Sequence, residues 1–299
     1  MQKIITLIAV AIILIIANSC DKSKSSSTYS LQKELSEYVE GKDANIGISV
    51  IIDRKDTIEV NGRKAFPMMS VYKFPIAVAL GDYLRVTSEL ITDPITITQH
   101  DLKPDTYSPI REKYEGVDTI NMPLHDILAY ALQQSDNNAS DILLKIMGGT
   151  DNAMLALKRV GIENINVRST EEEMHDDNQR CYDNTATPID MARLLDSFDH
   201  DFDDAYTRMV KQLMETCETG KNRISKPLEG TDAVIGHKTG TGFSLHDGRL
   251  MAINDAGYVH LPNGRNYSIV VFIENSGYDM PQTEEIIAKI SQIIYNHLK

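Results

Sequence analysis

Ser70-Val71-Tyr72-Lys73 places a hydroxyl and an amine three residues apart. On a helix, positions i and i+3 share a face, so the Lys73 amine is held beside the Ser70 hydroxyl. A serine hydroxyl is a weak nucleophile at neutral pH and needs an adjacent base. At a helix start Ser70 would also be exposed, next to free backbone N–H groups. Pro75 fits this placement, because proline is tolerated near a helix start and poorly further in. Two more triplets carry polar chemistry. Ser135-Asp136-Asn137 lies between an amphipathic segment ending near Leu132 and a helix starting near Ala139. Lys238-Thr239-Gly240 closes a β-type run. Between them, Thr170-Glu171-Glu172-Glu173-Met174-His175 offers carboxylates that could act as a general base. Each motif alone has a bland reading: surface polar residues, a strand-end turn, a solvated acidic run.

The elements around these motifs fix where they sit. Leu31, Leu35, Tyr38 and Val39 share a helical face, with Ser30 as N-cap and Gly41 as stop. Ile46–Ile52 and Thr57–Val60 read as a hairpin turned by Asp53-Arg54-Lys55-Asp56. From about Ser70 the pattern is helical, with Pro123 and Pro188 at first helical turns and Thr187 as a cap. Gly148-Gly149 stops the segment Ser140–Met147. Ala233–Lys238, Met251–Leu261 and Tyr267–Ile273 read as strands, and Thr283–Leu298 as an amphipathic helix. Strands at both ends and helices in the middle predict an α+β fold: a five-stranded, mainly antiparallel sheet flanked by helices from both termini, plus an all-helical lobe. Residues 30–66 and 225–299 would form the α/β lobe and 67–224 the helical lobe, with the chemistry in the cleft between them.

The N-terminus reads as an address. Lys3 precedes an apolar run from Ile4 to Ala17. Fourteen helical residues span about 21 Å, short of the roughly 30 Å of a bilayer core, so residues 1–19 are expected to be a signal peptide. Residues 20–29 would then be a Ser-rich tether. The 299-residue chain has a net charge of −13, which disfavours nucleic acid as a partner. Its three cysteines make no disulfide scaffold, and whether Cys181 and Cys217 pair stays open. The histidines show no zinc-type spacing, so no metal or other cofactor is expected.

Taken together and in this order, the three motifs are uncommon. About 65 residues separate the first from the second and about 100 the second from the third. They match the S-x-x-K, S-D-N, K-T-G set of penicillin-recognising serine enzymes, and from about residue 30 onward the chain resembles class A β-lactamases. PMMSVYKF (67–74), DLKPDTYSP (101–109), QQSDNNASD (133–141), TEEEMH (170–175) and ETGKNRI (218–224) are similar to the cephalosporinase branch of gut anaerobes. Ala17-Asn18-Ser19-Cys20 resembles a lipobox, which implies lipidation at Cys20 and a membrane-anchored periplasmic protein. The family also implies a monomer acting on small β-lactam substrates.

The resemblance implies roles. Ser70 attacks the lactam carbonyl, with Lys73 or a Glu171-held water taking its proton. Ser135 passes a proton to the lactam nitrogen, Lys238 holds Ser135 in a positive field, and Asn137 binds the substrate's acylamide. Glu171, 36 residues after Ser135, falls where the family's deacylating base falls, with Glu172 as its rival. The backbone N–H groups of Ser70 and Thr241 would form the oxyanion hole beside Gly240. Thr239 and Thr241 would add hydroxyl contacts, Arg223 would bind the substrate carboxylate, Tyr107 would wall the cleft, and His175 would help position the water. One departure stands out. The arginine–aspartate bridge at the neck of the family's loop is replaced by Ser169 and Asn184, while Asp141 stands where Asn is frequent. Asp141 and Asn184 are therefore expected to hydrogen-bond to each other across the neck. A DD-peptidase or an acylated, non-catalytic penicillin receptor would share the three motifs but would not need Glu171.

Overall fold

The computed structural model describes residues 28–299. The expected signal peptide and Cys20 lie outside them. The first helix, α1, spans residues 28–39, so Ser30 lies inside it and the helix takes in the last two residues of the expected tether. Leu31 and Leu35 are anchored in the core, and the turn before Leu31 winds with them.

Five strands form one antiparallel sheet: β1 (Asn45–Ile52), β2 (Asp56–Val60), β3 (Val234–Thr241), β4 (Leu250–His260) and β5 (Asn266–Ser276). The order is β2-β1-β5-β4-β3, so the last strand of the chain pairs with the first. Side chains alternate across β5. Val270 and Phe272 face the helical lobe. Ile269, Val271 and Ile273 face the terminal helices.

The face away from the cleft is covered by α1 and by α9 (Met280–Leu298), whose Ile286, Ile287, Ile290, Ile293 and Ile294 are buried. Asp279 and Gln282 make a capping box that starts α9 one turn before Thr283. The other face packs on the helical region: α2 (Lys73–Thr87), α3 (Leu124–Gln133), α4 (Asn137–Ile146), α5 (Thr150–Arg159), α6 (Glu171–Asp176), α7 (Pro188–His200) and α8 (Ala205–Glu215). Thr187 caps α7 by accepting the Asp190 N–H, as its sequence position implied. Pro123 ends a short strand, and α3 begins after it.

β3 runs through Thr241 rather than stopping at Lys238, so Lys238-Thr239-Gly240 lies inside a strand. That strand is the sheet's edge. An edge strand leaves one row of backbone groups free of the ladder, here toward the cleft.

Candidate active site

Ser70 lies in the 3-10 turn Met69–Tyr72 that runs directly into α2. Met69 adopts a left-handed backbone, φ +48°, which turns the chain sharply before the serine. Asn254 on β4 holds that approach: its amide donates to the carbonyls of Pro67 and Met68. Gly240 is the point of closest passage. A Cβ there would lie 2.4 Å from the Met68 carbonyl oxygen and 3.2 Å from the Val71 nitrogen. Only glycine lets the edge strand run so close to the turn that bears Ser70.

Lys73 is 1% exposed, and its ammonium donates to three oxygens. These are Ser70 Oγ at 2.8 Å, Asn137 Oδ1 at 2.7 Å and Glu171 Oε1 at 2.6 Å. The expected i, i+3 pairing of Ser70 and Lys73 is thus present, and it gathers residues from α2, α4 and α6 at one point. Asn137 is held on its other side by Thr106, whose hydroxyl accepts from Nδ2 at 2.7 Å. Beneath it, Asp136 caps α4 and accepts from the Ala139 and Ile110 N–H groups and the Ser108 hydroxyl.

Lys238 donates to Ser135 Oγ at 2.9 Å and to the Thr239 carbonyl at 3.0 Å. Burial, reinforced by the positive charges of Lys73 and Arg223, lowers it to about 7. Thr239 Oγ1 meets Thr219 Oγ1 at 2.6 Å. Below the strand, Asp255 outweighs the effect of burial on His237 and raises it to about 8. Asp255 also accepts the Ile224 N–H at 3.1 Å, tying down the segment that carries Arg223.

The three glutamates of α6 separate cleanly. Glu171 turns inward to Lys73. Glu172 pairs outside with Lys103 at 2.7 Å. Glu173 closes the helix's capping box with Thr170 and pairs with Arg180. Glu171, rather than its rival Glu172, therefore belongs to the Ser70 cluster.

Asp141 and Asn184 do not bond to each other. Asp141 accepts the backbone N–H groups of Glu171 at 2.7 Å and Glu172 at 2.9 Å. Asn184 accepts from Arg168 N and Ser169 N and donates to the Ser169 carbonyl. Each side chain clamps the loop's own backbone: Asp141 takes the unpaired N–H groups at the start of α6, and Asn184 takes those of the segment leading into it. Ser169 is not idle either: its hydroxyl joins Asp183 and Arg180.

Burial, with the Glu171 charge beside it, raises the Asp141 carboxyl to about 7. An unfolded aspartate titrates near pH 4, roughly. Between these values the native state binds more protons than the unfolded chain, so Asp141 costs stability as pH rises. The melting temperature of Asp141→Asn should therefore gain on the wild type between about pH 4 and pH 7 and hold level above. A difference independent of pH in calorimetry would contradict this.

Of three further expected residues, one sits away from the Ser70 cluster. His175 is exposed and lines an outer cavity of about 170 Å³ with Lys103, Asp105 and Asn138. On α6, Glu171 and Met174 face inward and the next residue turns out, so His175 is not beside Ser70. Arg223 is buried, and its guanidinium braces the fold. It donates to Glu284, to the Gly240 and Asn254 carbonyls and to Thr241 Oγ1. Four of its five N–H groups are so engaged, which leaves one for a ligand. Tyr107 is 57% exposed, and its carbonyl accepts the Asn137 N–H at 3.0 Å, which places it beside the second motif. Cys181 and Cys217 are both free thiols.

Residues 30–298 match the model of the β-lactamase enzyme family. The chain belongs to that family. A β-lactamase of Bacteroides uniformis is 35% identical over 272 residues, covering 90% of this chain and 91% of the relative. The β-lactamase VEB-1 of Pseudomonas aeruginosa is 34% identical over 275 residues, covering 90% of this chain and 91% of the relative. A class A β-lactamase of Bacteroides cellulosilyticus has a similar crystal structure: TM-score 0.86, 32% identity, 91% of this chain and 98% of that one. The fold is that of class A β-lactamases, and the chain is a serine β-lactamase by family.

Proposed function

We propose that this β-lactamase hydrolyses cephalosporins and penicillins through a Ser70 acyl-enzyme that Glu171-activated water releases. The observation that carries this is the Ser70 Oγ–Lys73 Nζ–Glu171 Oε1 chain, with links of 2.8 and 2.6 Å. Ser70 attacks the lactam carbonyl, and its proton passes to the Lys73–Glu171 pair. The oxyanion forms against the backbone N–H groups of Ser70 and Thr241. Ser135, held by Lys238 at 2.9 Å, relays to the departing nitrogen the proton that Ser70 gave up, which returns Glu171 to its carboxylate form. Asn137 and the Thr239 and Thr241 hydroxyls orient the substrate, and the remaining Arg223 N–H reaches its carboxylate. Glu171 then takes a proton from water, which attacks the ester and frees Ser70.

A DD-peptidase would be acylated by the same Ser70 and would stall. Mixing the purified enzyme with a chromogenic cephalosporin separates the two: sustained turnover is expected, and one stoichiometric burst would overturn the reading. We further propose a monomer exported to the periplasm and anchored through a lipid on Cys20. The Ala17-Asn18-Ser19-Cys20 sequence supports the anchor. Cys20→Ala should move the protein from the membrane fraction to the soluble one; unchanged partitioning would exclude the anchor.

A further inference from the structure

Tyr72 stands between the nucleophile and its lysine, at the end of the 3-10 turn. It is 0% exposed, and its hydroxyl has no hydrogen-bond partner. A buried unpaired hydroxyl costs about 1–3 kcal/mol, and phenylalanine would fill the same space without that cost. The position therefore calls for a reason to keep the oxygen.

The surroundings supply one. Four titratable groups face this side chain: Lys73 from α2, Asp141 from α4, Glu171 from α6 and the Cys181 thiol beyond it. The Lys73 ammonium lies 5.7 Å from the ring centroid. Burial, and next the Glu171 carboxylate, hold the phenol well above its ordinary range, so it stays a proton donor. Of the four carboxylate oxygens of Asp141 and Glu171, three already accept a hydrogen bond. The two Asp141 oxygens hold the Glu171 and Glu172 N–H groups. Glu171 Oε1 holds Lys73. Glu171 Oε2 is the acceptor that these bonds leave over.

We propose that Tyr72 is a positioning residue for the general base: during water activation its otherwise unpaired phenol closes onto the Glu171 oxygen that Lys73 leaves free, donates to it, and so restrains the carboxylate. This rests on the role of Glu171 proposed above. The restraint has a chemical side as well. A hydrogen-bond donor favours the charged form of a carboxylate, so loss of the phenol should show in the acid limb of kcat.

The test is Tyr72→Phe, which preserves the ring and the packing. The acid limb of kcat for a chromogenic cephalosporin should move up by about half a pH unit or more. kcat at neutral pH should change at least about twofold, while the acylation burst keeps its rate. The limb shift should persist in the Asp141→Asn background, which removes the other carboxylate near the phenol. Melting temperature reports packing separately. A kcat profile that superimposes on the wild type, whether or not the melting temperature moves, would overturn the proposal. Glu171→Gln run alongside keeps the two ideas apart. If that variant traps the acyl-enzyme while Tyr72→Phe matches wild type, only the tyrosine's role fails. If it turns over normally, the assignment of the base fails.

Discussion

Glu171→Gln is expected to acylate at a rate within about tenfold of the wild type and then to turn over on the order of 1,000-fold more slowly. The amide keeps the size of the side chain and can still accept from Lys73, whose ammonium lies 2.6 Å from Oε1 in the native site. It cannot take a proton from water. The ring-opening step has Lys73 at hand, 2.8 Å from Ser70 Oγ. The two half-reactions thus differ in how much they need the carboxylate. In stopped-flow absorbance the variant should give a burst equal to the enzyme concentration and almost no steady state. Glu172→Gln should leave both phases alone, since Glu172 faces outward to Lys103.

Lys73→Met is the second large effect. It removes the one cation that touches Ser70, Asn137 and Glu171 at once. Loss of a proton carrier in direct contact with the nucleophile costs on the order of 10³ in kcat/KM. Unlike Glu171→Gln, this variant should show no fast burst, because acylation itself fails. Stability should fall as well. The Lys73 side chain is 0% exposed and Glu171 only 12%. Removing one partner of such a pair costs about 3 kcal/mol, at the lower end of the range because Glu171 is partly wet. A normal burst with Lys73→Met would place the acylation base elsewhere.

The two predictions draw on different kinds of legibility. The Ser70–Lys73 pair was readable because helical spacing converts sequence distance into contact, whereas Ser135 and Lys238, 103 residues apart, were brought together only by the family's motif order. Selecting Glu171 from three adjacent glutamates needed spacing within the family pattern; the physical reason appears only when α6 shows one inward face. The places of the strands and the Thr187 cap followed from local patterning, while the ends of β3 at Thr241 and β5 at Ser276 did not. A Lys-Thr-Gly-Thr stretch lacks β-branched apolar residues, yet it remains strand because β4 pairs with it throughout.

The Asp141–Asn184 contact was misjudged for a different reason. Complementary residue exchange suggested that two side chains meet, but the loop's backbone N–H groups were the nearer partners. The substrate role of Arg223 is one that the family resemblance implies; what no local pattern shows is that Glu284, the Gly240 and Asn254 carbonyls and Thr241 take four of its five N–H groups. Asn254 itself was missed. Its signal was present: an Asn-Asp pair inside the apolar run Met251–Leu261 is a buried polar group that must have a partner. Which partner, across 187 residues to Pro67, no local pattern could reveal.

Release of the trapped acyl group by Glu171 is the step on which the whole account turns. Intact-mass spectrometry after mixing with a cephalosporin follows it directly, with peptide mapping to place the adduct. Wild type should show a Ser70 adduct that vanishes once substrate is exhausted, and Glu171→Gln the same adduct persisting for at least hundreds of wild-type turnovers. An adduct that clears equally fast from both proteins, or one that maps away from Ser70, would contradict it.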